Sequence, residues 1–262
     1  MYQTDPPRSP QDTLPTMYDL PSEDPQEPGL PDEFHLFQPR LLDETFVPPN
    51  YPAEQVFTAT DLNLYYDLRH TQWYKRPDWF AVVGVPRLYE QRELRLSYVI
   101  WQEEVSPIVV VELLSPGTEN EDLGQTLRDL NQPPSKWDVY EQILRVLYYV
   151  VFDRYTDTLR AFRLEGRRYQ AVESSSPRLW LDEVQLGLGL WQGSYRSVER
   201  LWLRWFDAQG NWIPTPLERA AQQIEQERLR TEQERQRAEE ERQRAERLAE
   251  RLRELGIDPD SL

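Results

Sequence analysis

The chain has no cysteine, two histidines and only two lysines in 262 residues, so 28 of its 30 basic residues are arginine. The lack of cysteine removes disulfides and cysteine nucleophiles. With only His35 and His70 available, the usual zinc ligand sets go as well. A Ser-His-Asp arrangement would have to draw on one of those two isolated histidines, and no Gly-x-Ser-x-Gly occurs. There is no run of roughly 18 apolar residues, so no membrane span is expected. The start, Met1-Tyr-Gln-Thr-Asp-Pro-Pro-Arg8, lacks the basic opening and apolar core of a secretory signal. These absences fit a cytoplasmic protein.

Basic surface is scarce too. The net charge is −16, which argues against generic nucleic-acid binding because phosphate contacts favour basic surfaces. Its distribution softens the objection. Residues 1–50 carry ten acids against Arg8 and Arg40, and residues 217–262 carry thirteen acids against ten arginines. That leaves −5 for residues 51–216, some of it on candidate site carboxylates that a cation would offset.

Proline and acid dominate residues 1–50, which read as an extended or disordered arm with apolar anchor points at Phe34, Leu36 and Phe37. A globular domain is expected over 51–216. Within it, Ala59–Leu68 reads equally as strand or helix. Strands are expected at 79–85, 95–101, 107–114 and 148–153, and a hairpin about Glu165-Gly166-Arg167. Pro133-Pro134-Ser135 announces a helix capped by Ser135, with Asp138 in the capping-box position. On it Val139, Tyr140, Ile143, Leu144 and Leu147 share one face, and Lys136 joins that face at the first turn. Trp202, Trp205, Phe206 and Trp212 surround a turn at 207–211. Stacking on bases is one reading of these aromatics, and packing of a core or its rim is the preferred one. Residues 217–262 form a charged helical tail. Apolar or small residues recur every seven positions, but Glu227, Glu234 and Glu241 occupy the other seam, so only weak pairing near Leu248, Leu252 and Leu255 is expected. Such pairing would make a homodimer or dock a partner protein.

The most apolar run, Pro107-Ile-Val-Val-Val-Glu-Leu-Leu-Ser-Pro116, is interrupted by Glu112. Period two places Ile108, Val110, Glu112 and Leu114 on one face. An acid there costs several kcal/mol unless it is paired, metal-bound or at a wet strand end. Asp78, after Pro77, opens a second apolar run, and Lys136 follows Glu112 by 24 positions. Each residue alone has an ordinary structural explanation: a strand end, a turn cap, a helix start. Together, two acids on neighbouring strands and one lysine are the minimum apparatus for metal-assisted phosphodiester hydrolysis. Asp78 and Glu112 would hold Mg2+ or Mn2+, with the Leu113 carbonyl as a further ligand. Such an ion acidifies bound water, and Lys136 would orient that water or stabilise nonbridging oxygens.

Pro77-Asp78, Val111-Glu112-Leu-Leu-Ser115-Pro116-Gly-Thr118, Lys136-x-x-x-Tyr140 and Tyr148-Tyr-Val-Val-Phe-Asp153 together resemble the Uma-type family of candidate restriction endonucleases, within the PD-(D/E)XK superfamily. The likeness spans roughly residues 57–165. It implies an α/β fold, a restriction-endonuclease-like mixed sheet flanked by helices, with a divalent-metal site and nuclease chemistry on DNA. Asp78 and Glu112 match the two acids. The superfamily pattern would put lysine at 114, where this chain has Leu114, and Lys136 matches the lysine this family presents from the following helix. Extra residues, among them Asn131-Gln-Pro-Pro134, lengthen the connection to it. The reading is therefore a magnesium-dependent endodeoxyribonuclease. Its rival is a catalytically inactive, nuclease-derived interaction protein, and hydrolysis of another phosphodiester is a third reading.

Overall fold

The computed structural model describes residues 32–115, 119–125, 132–172 and 177–254. Residues 1–31 of the acidic arm, 116–118 of the Ser-Pro-Gly-Thr motif, Asn131 and Leu255 lie outside the described residues. Contacts divide the chain into two units, one ending at Ile213 and one beginning at Pro214.

The first unit is built on a six-stranded mixed sheet: β1 (Val56–Ala59), β4 (Trp79–Val83), β6 (Val109–Leu113), β7 (Tyr148–Asp153), β8 (Thr158–Glu165) and β9 (Arg168–Ala171), in that spatial order. Within this sheet, among the described residues, β6 and β7 are the one parallel pair; β4 meets β6 antiparallel. The runs Trp79-Phe-Ala-Val-Val and Val-Val-Val-Glu-Leu are continuous, not alternating, because both faces of the central strands are covered. On one face Trp79, Val111, Leu113 and Val150 pack with a second, three-stranded sheet of β10 (Arg178–Leu181), β11 (Leu186–Tyr195) and β12 (Val198–Phe206). On the other, Phe80, Val110, Leu114 and Val151 meet Val139 and Tyr140 and the small sheet of β2 (Leu64–Tyr65), β3 (Tyr74–Lys75) and β5 (Tyr98–Val99).

Three expectations are corrected. The domain does not begin near 51. Helix α1 (Glu33–Thr45) buries Phe34, Leu41 and Leu42, and Phe46 follows it into the core. The fully buried Gln38 side chain donates to the Leu203 carbonyl at 2.9 Å and accepts from Leu203 N at 2.8 Å, tying α1 to β12 as a strand neighbour would. The expected strand at 95–101 shrinks to β5, because the chain turns into the short helix α2 (Ile100–Glu103). After α3 (Glu119–Asp122), the helix capped by Ser135 holds only one α-turn, α4 (Lys136–Asp138), before widening into a π-turn over Val139–Ile143. The wider winding keeps Val139, Tyr140 and Leu144 inside but carries Ile143 off their face to 44% exposure. The aromatics near the 207–211 turn follow the preferred packing reading: Trp202, Trp205 and Phe206 are buried in the core and Trp212 is half-buried at its rim, so base stacking is not available to the buried rings.

In the second unit, α5 (Pro216–Glu254) is one long helix. Its described heptad positions face solvent, Leu217 at 81% and Ile224 at 67% exposure. Pairs such as Arg230–Glu234 and Arg242–Glu239 line its surface.

Candidate active site

The site forms where β4 begins and β6 ends. Their antiparallel register sets Trp79 opposite Val111 and Phe80 opposite Val110, so continuing it by one residue sets Asp78 opposite Glu112. Residues directly opposite point to the same side of a sheet, which brings the two acids together from 34 positions apart. Asp78 N donates to Glu112 Oε2 at 3.5 Å, and Leu113 N donates to Asp78 Oδ2 at 2.6 Å. A strand residue turns its N–H and carbonyl toward the same neighbour, so the Leu113 carbonyl also faces the Asp78 side.

Lys136 and Tyr140 stand one turn apart and converge on the same carboxylate. Lys136 Nζ donates to Glu112 Oε2 at 2.9 Å, and the Tyr140 hydroxyl donates to Glu112 Oε1 at 2.8 Å. The longer connection does not keep the lysine away. Leu114 is only 6% exposed and packs in the core, so a lysine at that position would bury its charge beside Val110 and Val151. Presenting the cation from the next helix avoids that cost.

Sequence reasoning missed three contributors. Asp122, on α3, is 1% exposed with Oδ1 at 2.9 Å from Lys136 Nζ, so one ammonium bridges Asp122 and Glu112. Lys75, the chain's other lysine, donates to Glu121 Oε1 at 3.2 Å, and that oxygen also accepts from Lys136 N at 3.0 Å. Both lysines therefore serve one place. His35 reaches the site from α1. Its Nδ1 lies 2.9 Å from Asp32 Oδ1, and its Nε2 lies 3.2 Å from both the Leu113 carbonyl and Ser115 Oγ. Ser115, His35 and Asp32 thus line up in the order that sequence reasoning set aside. The Leu113 carbonyl can only accept, so in that contact Nε2 carries the proton and has no lone pair with which to act as a base on the Ser115 hydroxyl.

Electrostatics follow from burial. Desolvation pushes the Glu112 carboxyl up to about 8, with the Asp78 and Asp122 charges adding and Lys136 opposing. Burial raises Asp78 as well, against the pull of Lys136 and His35. Burial alone would lower Lys136, but the Glu112, Asp122 and Asp78 charges overcome it and hold the ammonium well above its ordinary value. The same contest leaves His35 raised: desolvation opposes the charge, and Asp32 and Asp78 restore it.

Three buried carboxyls crowd one ammonium, and burial with their mutual repulsion holds Glu112 and Asp78 toward their protonated forms; a divalent cation would let them ionise. Among the described residues no three His, Cys, Asp or Glu side chains form a metal-holding group. The available donors, Asp78, Glu112 and the Leu113 carbonyl, are all oxygen. They fit a hard cation such as magnesium, which keeps several of its waters.

A mixed sheet with two acids facing each other across β4 and β6, and a lysine arriving from the next helix, is what the resemblance to restriction-endonuclease-like proteins leads one to expect. The chain belongs to the Uma2 family: that family's model, described as "Putative restriction endonuclease", matches residues 14–199. The match reaches well beyond the motif-bearing stretch and takes in α1. Its description points to nuclease function and to interaction with DNA. A search of curated proteins finds no match. Among the described residues, no helix is long and apolar enough to cross a membrane.

Proposed function

We propose that this protein is a metal-dependent endodeoxyribonuclease, with Asp78, Glu112 and the Leu113 carbonyl holding Mg2+ or Mn2+ and Lys136 as the catalytic cation. One observation carries the reading: Lys136 Nζ and Asp78 N both approach Glu112 Oε2, at 2.9 and 3.5 Å, on a carboxylate with no solvent exposure. A buried acid flanked by a second acid and a lysine has little structural advantage, since apolar residues would fill the space at lower cost. Bound there, the ion supplies a Lewis acid that acidifies water and offsets phosphoryl charge.

The chain's own residues do the rest. Asp122 keeps a carboxylate on Lys136 Nζ when Glu112 turns to other duty, so the ammonium stays at the site. Lys136 then presents N–H donors to the nonbridging oxygens as charge grows on them. Tyr140 orients Glu112, and Leu113 N orients Asp78, so the acids lose little freedom on engaging a ligand.

A second reading, an interaction protein without turnover, draws on a specific observation. Both Glu112 oxygens and Asp78 Oδ2 already accept from protein donors, and the net charge of −16 opposes tight DNA binding. Plasmid cleavage with magnesium or manganese, beside calorimetric metal titration, separates the two. The nuclease reading expects cleavage that Asp78→Asn abolishes along with metal affinity. Lys136→Ala should keep metal binding and lose about two to three orders of magnitude in turnover. Wild-type protein that neither binds the ions nor cuts DNA supports the second reading.

A further inference from the structure

We infer that α5 is a self-association surface on which two copies of this chain pair in parallel and in register. Glu227, Glu234 and Glu241 of one copy then face Arg228, Arg235 and Arg242 of the other. The inference is independent of the nuclease reading.

A seven-residue pattern runs through the middle of the helix: Glu225-Gln-Glu227-Arg228-Leu-Arg230-Thr231, Glu232-Gln-Glu234-Arg235-Gln-Arg237-Ala238, then Glu239-Glu-Glu241-Arg242-Gln-Arg244-Ala245. All of it is exposed. The two-position seam of an ordinary coiled coil would bury Glu227, Glu234 and Glu241, which is why it fails here. A seam centred on Ile224, Thr231, Ala238 and Ala245 alone moves those glutamates to its edge. At about 3.5 residues per turn, positions three further on lie roughly 50° to one side of that line, and positions four further on lie roughly 50° to the other. One edge is therefore glutamate and the other is arginine, Arg228, Arg235 and Arg242. The next positions out reverse the signs: Arg230, Arg237 and Arg244 beyond the glutamates, Glu225, Glu232 and Glu239 beyond the arginines.

Two-fold symmetry decides the orientation. In a parallel pair the axis runs along the helices, so each edge faces the opposite edge of the other copy and glutamate meets arginine. In an antiparallel pair the axis crosses the helices, each edge faces its own equivalent, and like charges meet. Charges left over within the helix sit on these same edges. Arg228 pairs with Glu225 at 3.3 Å, Arg230 with Glu234 at 3.1 Å and Arg242 with Glu239 at 2.9 Å. Among the described residues, Glu227, Glu241 and Arg235 make no ion pair.

The seam fits the same occupant. Thr and Ala let two helix axes approach toward the short end of the usual range of about 8–10 Å, where long Glu and Arg side chains reach across. Toward its ends the line becomes apolar, with Leu217 and Ile224 before the charged stretch and Leu248 after it, at 81%, 67% and 57% exposure. Both edges beside Leu217 are alanine, Ala220 and Ala221, and Leu248 and Ala249 flank Ala245. These ends supply apolar burial, and the charged middle sets register and direction. A partner of one charge sign would satisfy one edge and repel the other. A second copy of this chain satisfies both.

The test uses the full chain in sedimentation velocity at micromolar concentration. Wild type should be a dimer that added salt weakens. One variant carries Glu227→Arg, Glu234→Arg and Glu241→Arg together and has two basic edges. The other carries Arg228→Glu, Arg235→Glu and Arg242→Glu and has two acidic edges. Each alone should sediment as a monomer, and an equimolar mixture should regain the dimer. Mixing keeps the test decisive where either variant loses helix by itself, because circular dichroism should then recover together with the dimer. Ile224→Cys, in a chain with no other cysteine, should cross-link to itself under oxidised glutathione, since parallel register sets the two thiols opposite each other. A monomeric wild type, dimers that survive in both charge variants, or a mixture that stays monomeric overturns the surface. A dimer whose Ile224→Cys variant does not cross-link overturns the parallel register.

Discussion

Stability between pH 5 and 8, measured without divalent ions, reads the buried acids directly. Glu112 has no solvent exposure, and its carboxyl titrates at about 8 in the folded chain against an ordinary 4.5. Between those values the folded protein keeps a proton that the unfolded chain has released. The stability tied to that proton is complete below pH 4.5, declines through the window and is lost above pH 8. An interval of about 3.5 pH units, at about 1.4 kcal/mol each, sets an upper bound of roughly 5 kcal/mol. Glu112→Gln keeps the shape and is neutral throughout. Its stability relative to wild type should therefore rise with pH, from near zero at pH 5 to roughly 2–5 kcal/mol at pH 8. Asp78 is shifted in the same direction by burial and leaves a residual slope in the variant. Urea midpoints followed by tryptophan fluorescence at four pH values measure the difference. Saturating magnesium should stabilise wild type most at pH 8, where the protons have already gone. Parallel pH profiles for wild type and Glu112→Gln would refute the reasoning, because Glu112 would then be no more strained folded than unfolded.

Leu41→Ala, at a side chain with no exposure in α1, should cost about 2–5 kcal/mol in the same urea assay. Deleting residues 1–49 removes burial by Phe34, Leu41, Leu42 and Phe46, at about 1.5–3 kcal/mol each, and should abolish the cooperative thermal transition. A chain ending at Ile213 should keep that transition unchanged, since the contacts divide there. Lys75→Met should lower kcat roughly tenfold with KM little changed, and Lys75→Arg should restore it only in part, because Lys75 meets Glu121 and acts on the seat of Lys136.

The central strands were legible because their physics is local. Trp79–Val83, Val109–Leu113 and Tyr148–Asp153 are buried on both faces, which writes a continuous apolar run into the sequence. Helix α1 carried a signal too, with Asp32 as its cap and Phe34, Gln38, Leu41, Leu42 and Thr45 buried at helical spacing. Pro39 inside it and the proline-rich, acidic residues before it masked that pattern, since proline ordinarily marks a helix end. Tertiary packing overrode the local prior, and Gln38 does at the strand edge what no periodicity reveals. The π-turn was invisible for another reason: its five residues carry no distinct spacing, and only the exposure of Ile143 betrays the wider winding.

At the site, the residues that motif spacing found are those whose roles depend on strand and helix position, and the ones it missed act through long-range contacts. Glu112 and Asp78 face each other because of a register, and Lys136 and Tyr140 because of a helical turn, so both pairings follow from period and order. Asp122, Lys75 and His35 come from segments that are neighbours only after folding. Asp122 sits in a four-residue helix, Lys75 on a two-residue strand, and His35 lies 78 positions from the carbonyl it donates to. One compositional clue did point to them. A chain with two lysines and 28 arginines uses ammonium groups where a compact point charge serves better than a fork, and both ammonium groups end in the same acidic cluster. Lys136 bridges Glu112 and Asp122 with a single Nζ at 2.9 Å from each, the donors of one compact ammonium meeting at a point where a planar guanidinium would need more room. The rarity of lysine is thus the mark of a site that needs one movable, compact cation, and Lys75 shows that its seat needs a second.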